Sequence, residues 1–315
     1  MDIAFIVDPI AGLKAYKDSS VFMMREAAGV GKSGGHNVWA FEAKDMFSRG
    51  NVVCANAKQL TLSADNHAWY AVTQEVTKPL TEFGAVLMRK DPPFDQEYLY
   101  ATLLLSLAES QGARIVNRPA SLRDYNEKLA ILKFAEFTSP TLVTSDMSSV
   151  HAFIDEHQDV ILKKLDGMGG TSIFRVTATD ANRNAIIEVQ TEYGRSSIMA
   201  QRYIPEIAKG DKRVLVIDGK VADHALARIP KAGETRGNLA AGGKGVAMPI
   251  TKREREIAEA LGPTLKRDGL AIVGLDIIGD YLTEVNVTSP TCMVEIFEQA
   301  GENIAAKVIA AITQG

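Results

Sequence analysis

Cysteine is scarce in this chain: its 315 residues include only Cys54 and Cys292. They lie far apart and without the short spacings of metal-ligand or redox motifs. That excludes a disulfide framework and points to a reducing compartment. Long hydrophobic runs are lacking too. No stretch approaches the ~20 apolar residues that span a bilayer, and the opening residues carry no basic region of the kind that leads a signal peptide. A cytoplasmic protein with no membrane partner is expected. Basic excess is absent as well: 35 Lys and Arg against 39 Asp and Glu leave a formal charge of -4, so nothing draws the chain electrostatically to nucleic acid. The five histidines (His36, His67, His151, His157, His224) show no pairing with a nucleophile, and no Gly-x-Ser-x-Gly elbow occurs. A covalent protein intermediate is therefore not expected.

What is present fits an ordinary globular protein, 46% hydrophobic and 23% charged, long enough for two or three lobes. An apolar run at residues 3–7, closed by Asp8 and Pro9, reads as a buried strand. Asp18, Ser19 and Ser20 cap a following helix, and residues 38–41 form another strand. The alternation repeats with a strand at 85–88, a helix at 95–110 and a strand at 114–116. This part of the chain therefore reads as an open parallel sheet with flanking helices. A helix over 121–137, with Lys128 inside it, ends at Ser139 and Pro140 before a strand at 141–143. A domain boundary falls here, separating residues 1–122 from 123–315. Strands then follow closely at 160–163, 172–176, 197–203, 213–217 and 221–228, which implies an antiparallel sheet. Residues 229–245 are too polar and glycine-rich to pack and read as a lid. Helices over 251–268 and 293–312 complete the chain.

The richest chemistry lies at residues 276–290. Asp276 closes one apolar run, and Glu284 and Asn286 stand two apart in the next, so both project from one strand face. Few hard oxygen donors of this kind suit magnesium shared with nucleotide phosphates; the competing reading is a hairpin whose polar face is merely wet. Upstream, Lys163 precedes a turn containing Gly167, Gly169 and Gly170, where backbone N-H groups can approach an anion closely. Gly31, Lys32 and Ser33 imitate the end of a Walker A loop, but Glu26 stands where its first glycine is required. That segment reads instead as a helix end stopped by Gly34 and Gly35. Arg213, Arg228 and Arg236, with Arg89 and Lys90, could together clamp a multiply anionic substrate. Asp91, Pro92 and Pro93 read as a rigid turn.

Together these segments resemble the ATP-grasp ligases, and within them the bacterial glutathione synthetases, along nearly the whole chain. Residues 274–290 are shared partly with other grasp ligases. The stretches Arg89-Lys90-Asp91-Pro92-Pro93-Phe94 and Gly233-Glu234-Thr235-Arg236-Gly237-Asn238 are specific to the narrower group. The resemblance implies an α/β ATP-grasp fold: an N-terminal open parallel α/β domain, a small antiparallel-sheet lid domain at about 141–204, and a C-terminal antiparallel-sheet catalytic domain at 205–315 carrying loop 229–245. It implies that γ-glutamylcysteine and glycine are joined while ATP becomes ADP and phosphate. Lys128 and Lys163 match lysines that contact ATP phosphates and adenine, Asp211 matches a ribose contact, and Gly167, Gly169, Gly170, Gln201 and Ile204 complete the nucleotide set. Asp276, Glu284 and Asn286 match magnesium ligands, with manganese as the alternative ion. Arg213, Arg228 and Arg236 match the catalytic positions that handle the acyl phosphate and substrate carboxylates. Arg89, Thr288, Ser289 and Asn238 match the substrate pocket. A homotetramer is implied.

The sequence departs from the family at Lys164, where proline is usual, at Arg202, and in the glycine-rich stretch 28–36. Two other readings stay open: a related ligase with a D-alanine-like acceptor, which would leave Arg89 and Lys90 without a task, and a nucleotide-binding regulator that has lost turnover.

Overall fold

Apolar runs alternating with helices give the first sheet its parallel core. The structure is a computed structural model and describes residues 1–231, 237 and 242–314. β1 (Asp2–Ile6) is followed by α1 (Ser19–Ala28), whose first turn is capped by the Asp18 carboxylate accepting from the amides of Ser20 and Val21 at 2.7 and 3.0 Å. The helix stops at Gly29, left-handed at φ 69°, where a Cβ would lie 1.9 Å from the Gly34 carbonyl oxygen. The stop is thus five residues earlier than the Gly34 and Gly35 expected from sequence. β2 (Asn37–Phe41), β3 (Met46–Arg49), β4 (Val52–Leu62), β5 (Tyr70–Pro79), β6 (Ala85–Met88), α2 (Gln96–Ser110), β7 (Ile115–Val116) and α3 (Pro119–Asp124) complete this region. Strand order is β3-β4-β2-β1-β6-β7, with β5 on β4. β2, β1, β6 and β7 run parallel as expected, and β3, β4 and β5 extend the sheet antiparallel. Those three strands escaped the sequence reading because β5 is largely exposed on both faces and carries no clean apolar alternation.

The expected helix over 121–137 is two pieces. α3 ends at Asp124, a short loop holds Asn126, Glu127 and Lys128, and a 3-10 turn runs from Leu129 to Phe137. Lys128 therefore stands at a cap, outside any helix. The Asn126 side-chain oxygen accepts from the amides of Lys128 and Leu129 at 3.1 and 3.0 Å, which favours a cap over helix interior. β8 (Thr141–Thr144), α4 (Met147–His157), β9 (Asp159–Lys164), β10 (Ile173–Thr177), α5 (Arg183–Gln190) and β11 (Ile198–Arg202) follow. They form an antiparallel sheet of order β10-β9-β11-β8. α4 and α5, unforeseen, bury Val150, Ile154 and Ile187 against it.

The third sheet is antiparallel, order β14-β13-β12-β15-β16. Its elements are β12 (Asp211–Ile217), β13 (Lys220–Ile229), β14 (Lys244–Pro249), α6 (Lys252–Arg267), β15 (Ile272–Ile278), β16 (Tyr281–Asn286), α7 (Met293–Ala300) and α8 (Ile304–Thr313). The single helix expected over 293–312 is interrupted at Gly301, φ 72°. Val214, Val216, Leu275 and Val285 pack with Ile257, Leu261 and Leu265 of α6. Strand alternation turns Asp211 and Arg213 of β12, Asp276 of β15 and Glu284 and Asn286 of β16 away from α6, while Leu215, Ile217 and Ile272 join a core with Val308 and Ile309 of α8. The buried Asn117, just after β7, ties the first sheet to the third. Its amide nitrogen donates to the carbonyls of Ile272 and Val287, and its oxygen accepts from the Ile272 amide, each at 2.8 Å.

Candidate active site

Strand register assembles the site. Arg213 on β12 sits opposite Asp276 on β15, which sits opposite Glu284 on β16; Asp211 on β12 sits opposite Arg228 on β13. Asp211 and Arg213, like Glu284 and Asn286, are two apart and share that face. Gly274 makes the row possible: a Cβ there would lie 2.7 Å from Arg213 Cδ and 2.9 Å from Pro290 Cβ, so only glycine lets the arginine cross β15. Asp276 is buried beneath two guanidiniums. Arg213 donates from Nε to Oδ1 at 2.5 Å and from Nη2 to Oδ2 at 3.0 Å, and Arg228 Nη2 lies 2.8 Å from Oδ2. Burial alone would raise the Asp276 pKa, but the two arginines hold it well below the usual carboxylate range. Arg228 also bonds Asp211, whose other oxygen is buried without a partner among the described residues. Burial pushes the Asp211 pKa up to about 6, Asp276 and Glu284 adding to the rise and Arg228 opposing it.

A cavity of about 300 Å³ lies between this face and the small sheet. Lys163, Gly167, Gly169, Gly170, Gln201 and Ile204 line one side; Asp211, Arg213, Arg228, Glu284 and Asn286 line the other, with Thr288 and Ser289 at its end. Lys128 bridges the two, donating to the Gly167 carbonyl at 2.6 Å and lying 3.8 Å from the Glu284 carboxylate. Burial depresses the pKa of the Lys163 ammonium, with Glu284 opposing and Lys128 assisting. Gln201 is fixed by donating to the Thr141 hydroxyl at 3.1 Å. Gly169 and Gly170 adopt φ 62° and 83°, left-handed values that glycine takes without strain.

The oxygen donors fit a hard divalent ion in part. Glu284 and Asn286 line the cavity, and Asn286 spends its amide nitrogen on the Gly274 carbonyl at 3.2 Å, leaving its oxygen available. Asp276 does not line the cavity, and its oxygens accept from arginines, Oδ1 from one donor and Oδ2 from two. Among the described residues no three His, Cys, Asp or Glu side chains converge as a metal site on their own.

Arg89 and Lys90 stand elsewhere than expected. Arg89 is buried behind the cavity wall, donating to the Ser20 hydroxyl at 3.1 Å and to the Pro290 carbonyl at 2.9 Å, while Lys90 pairs with Asp8 at 3.2 Å. Both have structural tasks, so they do not discriminate between a large anionic substrate and a small one. Arg236 and Asn238, like most of the expected lid, lie outside the described residues. Asp91, read as part of a rigid turn, lines the cavity and accepts from Ser289 Oγ at 2.6 Å. Glu127, passed over, accepts from Thr288 Oγ1 at 3.2 Å; its position beside Lys128 was the available signal. Among the described residues no helix is long and apolar enough to cross a membrane.

Fold and site together define an ATP-grasp ligase. The chain is similar in fold to D-cycloserine synthetase DcsG (TM-score 0.69, 14% identity, 100% of this chain and 99% of that one). It is likewise similar to the ATP-grasp ligase PsnB complexed with a phosphomimetic precursor variant, Mg and ADP (TM-score 0.59, 18% identity, 99% and 97%). The profiles of the prokaryotic glutathione synthetase N-terminal and ATP-grasp domains match residues 1–123 and 127–301. Glutathione synthetases from Nitrosomonas europaea and Ralstonia nicotianae are 54% and 53% identical, over 100% and 99% of this chain and 98% and 95% of theirs. The chain belongs to the prokaryotic glutathione synthetase family, and its activity is ATP-dependent ligation in glutathione synthesis.

Proposed function

We propose that the charged face of the third sheet, set across one cavity from Lys163 and the glycine turn, is where γ-glutamylcysteine is activated and joined to glycine. A carboxylate is a poor electrophile. A cysteinyl carboxylate oxygen therefore bonds the γ-phosphorus of ATP while the bond to ADP breaks, giving an acyl phosphate. The glycine nitrogen, having lost a proton, then bonds the carbonyl carbon. The carbon–phosphate oxygen bond breaks, phosphate leaves with the electron pair, and the nitrogen sheds a second proton.

Lys128, Lys163 and the turn at Gly167, Gly169 and Gly170 hold the nucleotide phosphates, Gln201 and Ile204 its base, and Asp211 its ribose. Arg213 and Arg228, with Arg236, stabilise the oxyanion; Thr288, Ser289 and Asn238 bound the substrate, and Arg89 supports that pocket from behind. Glu284 and Asn286, joined by Asp276, would hold magnesium, or manganese in its place, which supplies charge neutralisation at the phosphates when bound. A PsnB structure holding Mg and ADP supports that reading. Residues 1–122 act as a substrate domain and 123–315 as the grasp domain, with 141–204 and 229–245 closing over the acyl phosphate to exclude water. The chain works in the cytoplasm as a homotetramer.

The observation that carries this is that Arg213, Arg228 and Glu284 face Lys163 across a single cavity, with Asp276 buried beneath the two arginines that it pairs. Phosphate release is measured with ATP and magnesium on γ-glutamylcysteine plus glycine and, separately, on D-alanine. Release with the first pair alone is expected; release with D-alanine alone would overturn the substrate assignment.

A further inference from the structure

A second, smaller cavity of about 160 Å³ adjoins the first and shares with it Glu127, Gly167, Met168, Thr288 and Pro92. Of its other polar side chains Asp166 is exposed, and the enclosed ones are spent inward: Arg123 donates to the Thr102 carbonyl and the Ser106 hydroxyl at 3.0 and 3.1 Å, the Tyr125 hydroxyl donates to Asp268 at 2.6 Å, and Asn126 donates to the Leu165 carbonyl at 3.0 Å. Glu127 is the exception. It stands on the wall common to both cavities, one oxygen taken by the Thr288 hydroxyl, and its backbone oxygen accepts from the Val285 amide at 2.8 Å, which pins it beside Glu284. Glu284 has Lys128 at 3.8 Å, but among the described residues no cation stands within ion-pair distance of Glu127. A carboxylate enclosed between two cavities with no paired cation favours a cation brought to it.

One substrate of the reaction arrives as a small cation at its reacting end. We propose that Glu127 receives the ammonium group of the amino-acid acceptor, seating it in the smaller cavity with its nitrogen at the edge of the larger one. A metal ion suits the place less well, since apart from Glu127 the enclosed side chains there are apolar or already bonded. The acceptor suits it better than the α-ammonium of γ-glutamylcysteine. Glu127 lies at the end of the cavity occupied by Glu284 and Arg213, where the new bond must form. This rests on the acyl-phosphate reading given above.

The test uses the full chain with ATP, magnesium and γ-glutamylcysteine, and compares glycine with hydroxylamine, which is uncharged at neutral pH and traps acyl phosphates as hydroxamates. In Glu127→Gln the KM for glycine should rise about 10- to 100-fold, the loss expected of one charge-assisted hydrogen bond. The KM values for γ-glutamylcysteine and ATP should hold, and hydroxamate formation should persist. Glu127→Asp, which keeps the charge, should recover much of the glycine affinity and serves equally if the glutamine variant folds poorly. An unchanged glycine KM, a rise confined to γ-glutamylcysteine, a shifted magnesium requirement in its place, or parallel loss of hydroxamate would each overturn the inference. Absence of hydroxamate from the unaltered chain would instead sink the acyl-phosphate reading itself.

Discussion

Asp276 accepts from two guanidiniums at once while buried, so its contribution to stability is large and depends on pH. Its pKa in the folded chain is depressed below the ~3.9 of an unfolded aspartate. The stabilisation is thus complete above that value and is lost as pH falls through the folded pKa. Asp276→Asn leaves Arg213 and Arg228 without their shared carboxylate and should lower the unfolding free energy by about 3–5 kcal/mol at neutral pH. The gap should narrow as pH falls below about 4. Urea titrations of both proteins at neutral and acid pH measure it; an equal gap at both would mean that Asp276 is not held as an anion. Glu284 and Asn286 were legible on this face because alternation along a strand fixes the side on which they emerge, Asp276 as the end of the preceding apolar run and Arg213 through the resemblance. Glu127 and Asp91 were not, since their partners Thr288 and Ser289 lie 161 and 198 residues away. Arg89 was legible as a charge but not by its partners: its guanidinium donates to the Ser20 hydroxyl and to the carbonyl of Pro290, a residue of the cavity wall.

The turn between β9 and β10 is the element whose conformation matters most to nucleotide binding. Gly169 is left-handed, and a Cβ built there meets nothing within 4 Å, so Gly169→Ala adds backbone strain without a clash. The strain is about 1–2 kcal/mol. If the turn holds phosphate in this conformation, the KM for ATP should rise by up to about tenfold, 1.4 kcal/mol being a factor of ten, while the KM for glycine holds. An unchanged KM for ATP would remove the turn from phosphate binding. As a turn it was readable from its glycines between two strands, although such a turn is by itself more often a tight loop than a phosphate site. Elements defined by packing alone were harder. β5 is an exposed edge strand without a clean period, and α4 and α5 are short helices covering a small sheet, where apolar positions are too few to show a helical repeat.

At the scale of the molecule, the change from strand–helix alternation to closely spaced strands foretold a parallel region followed by antiparallel ones. The junctions between them were hidden, because a tie such as Asn117 to Ile272 and Val287 spans 155 and 170 residues. Any self-association would be hidden for the same reason, and among the described residues α2 carries a stripe that bears on it. Its inner face buries Tyr98, Ala101, Leu105 and Ala108, yet its outer face carries Tyr100, Leu103 and Leu107 at 50%, 49% and 37% exposure. These three sit at helical spacing on one side, a stripe that water solvates poorly and that a second copy would cover. If the proposed homotetramer forms through this stripe, Leu103→Glu combined with Leu107→Glu sets four like charges face to face in each pair of subunits, a juxtaposition that costs several kcal/mol. Light scattering on the eluting protein should then show the mass fall to that of a smaller assembly, which stays folded because both side chains are exposed on the single chain. An unaltered mass would move the interface off α2.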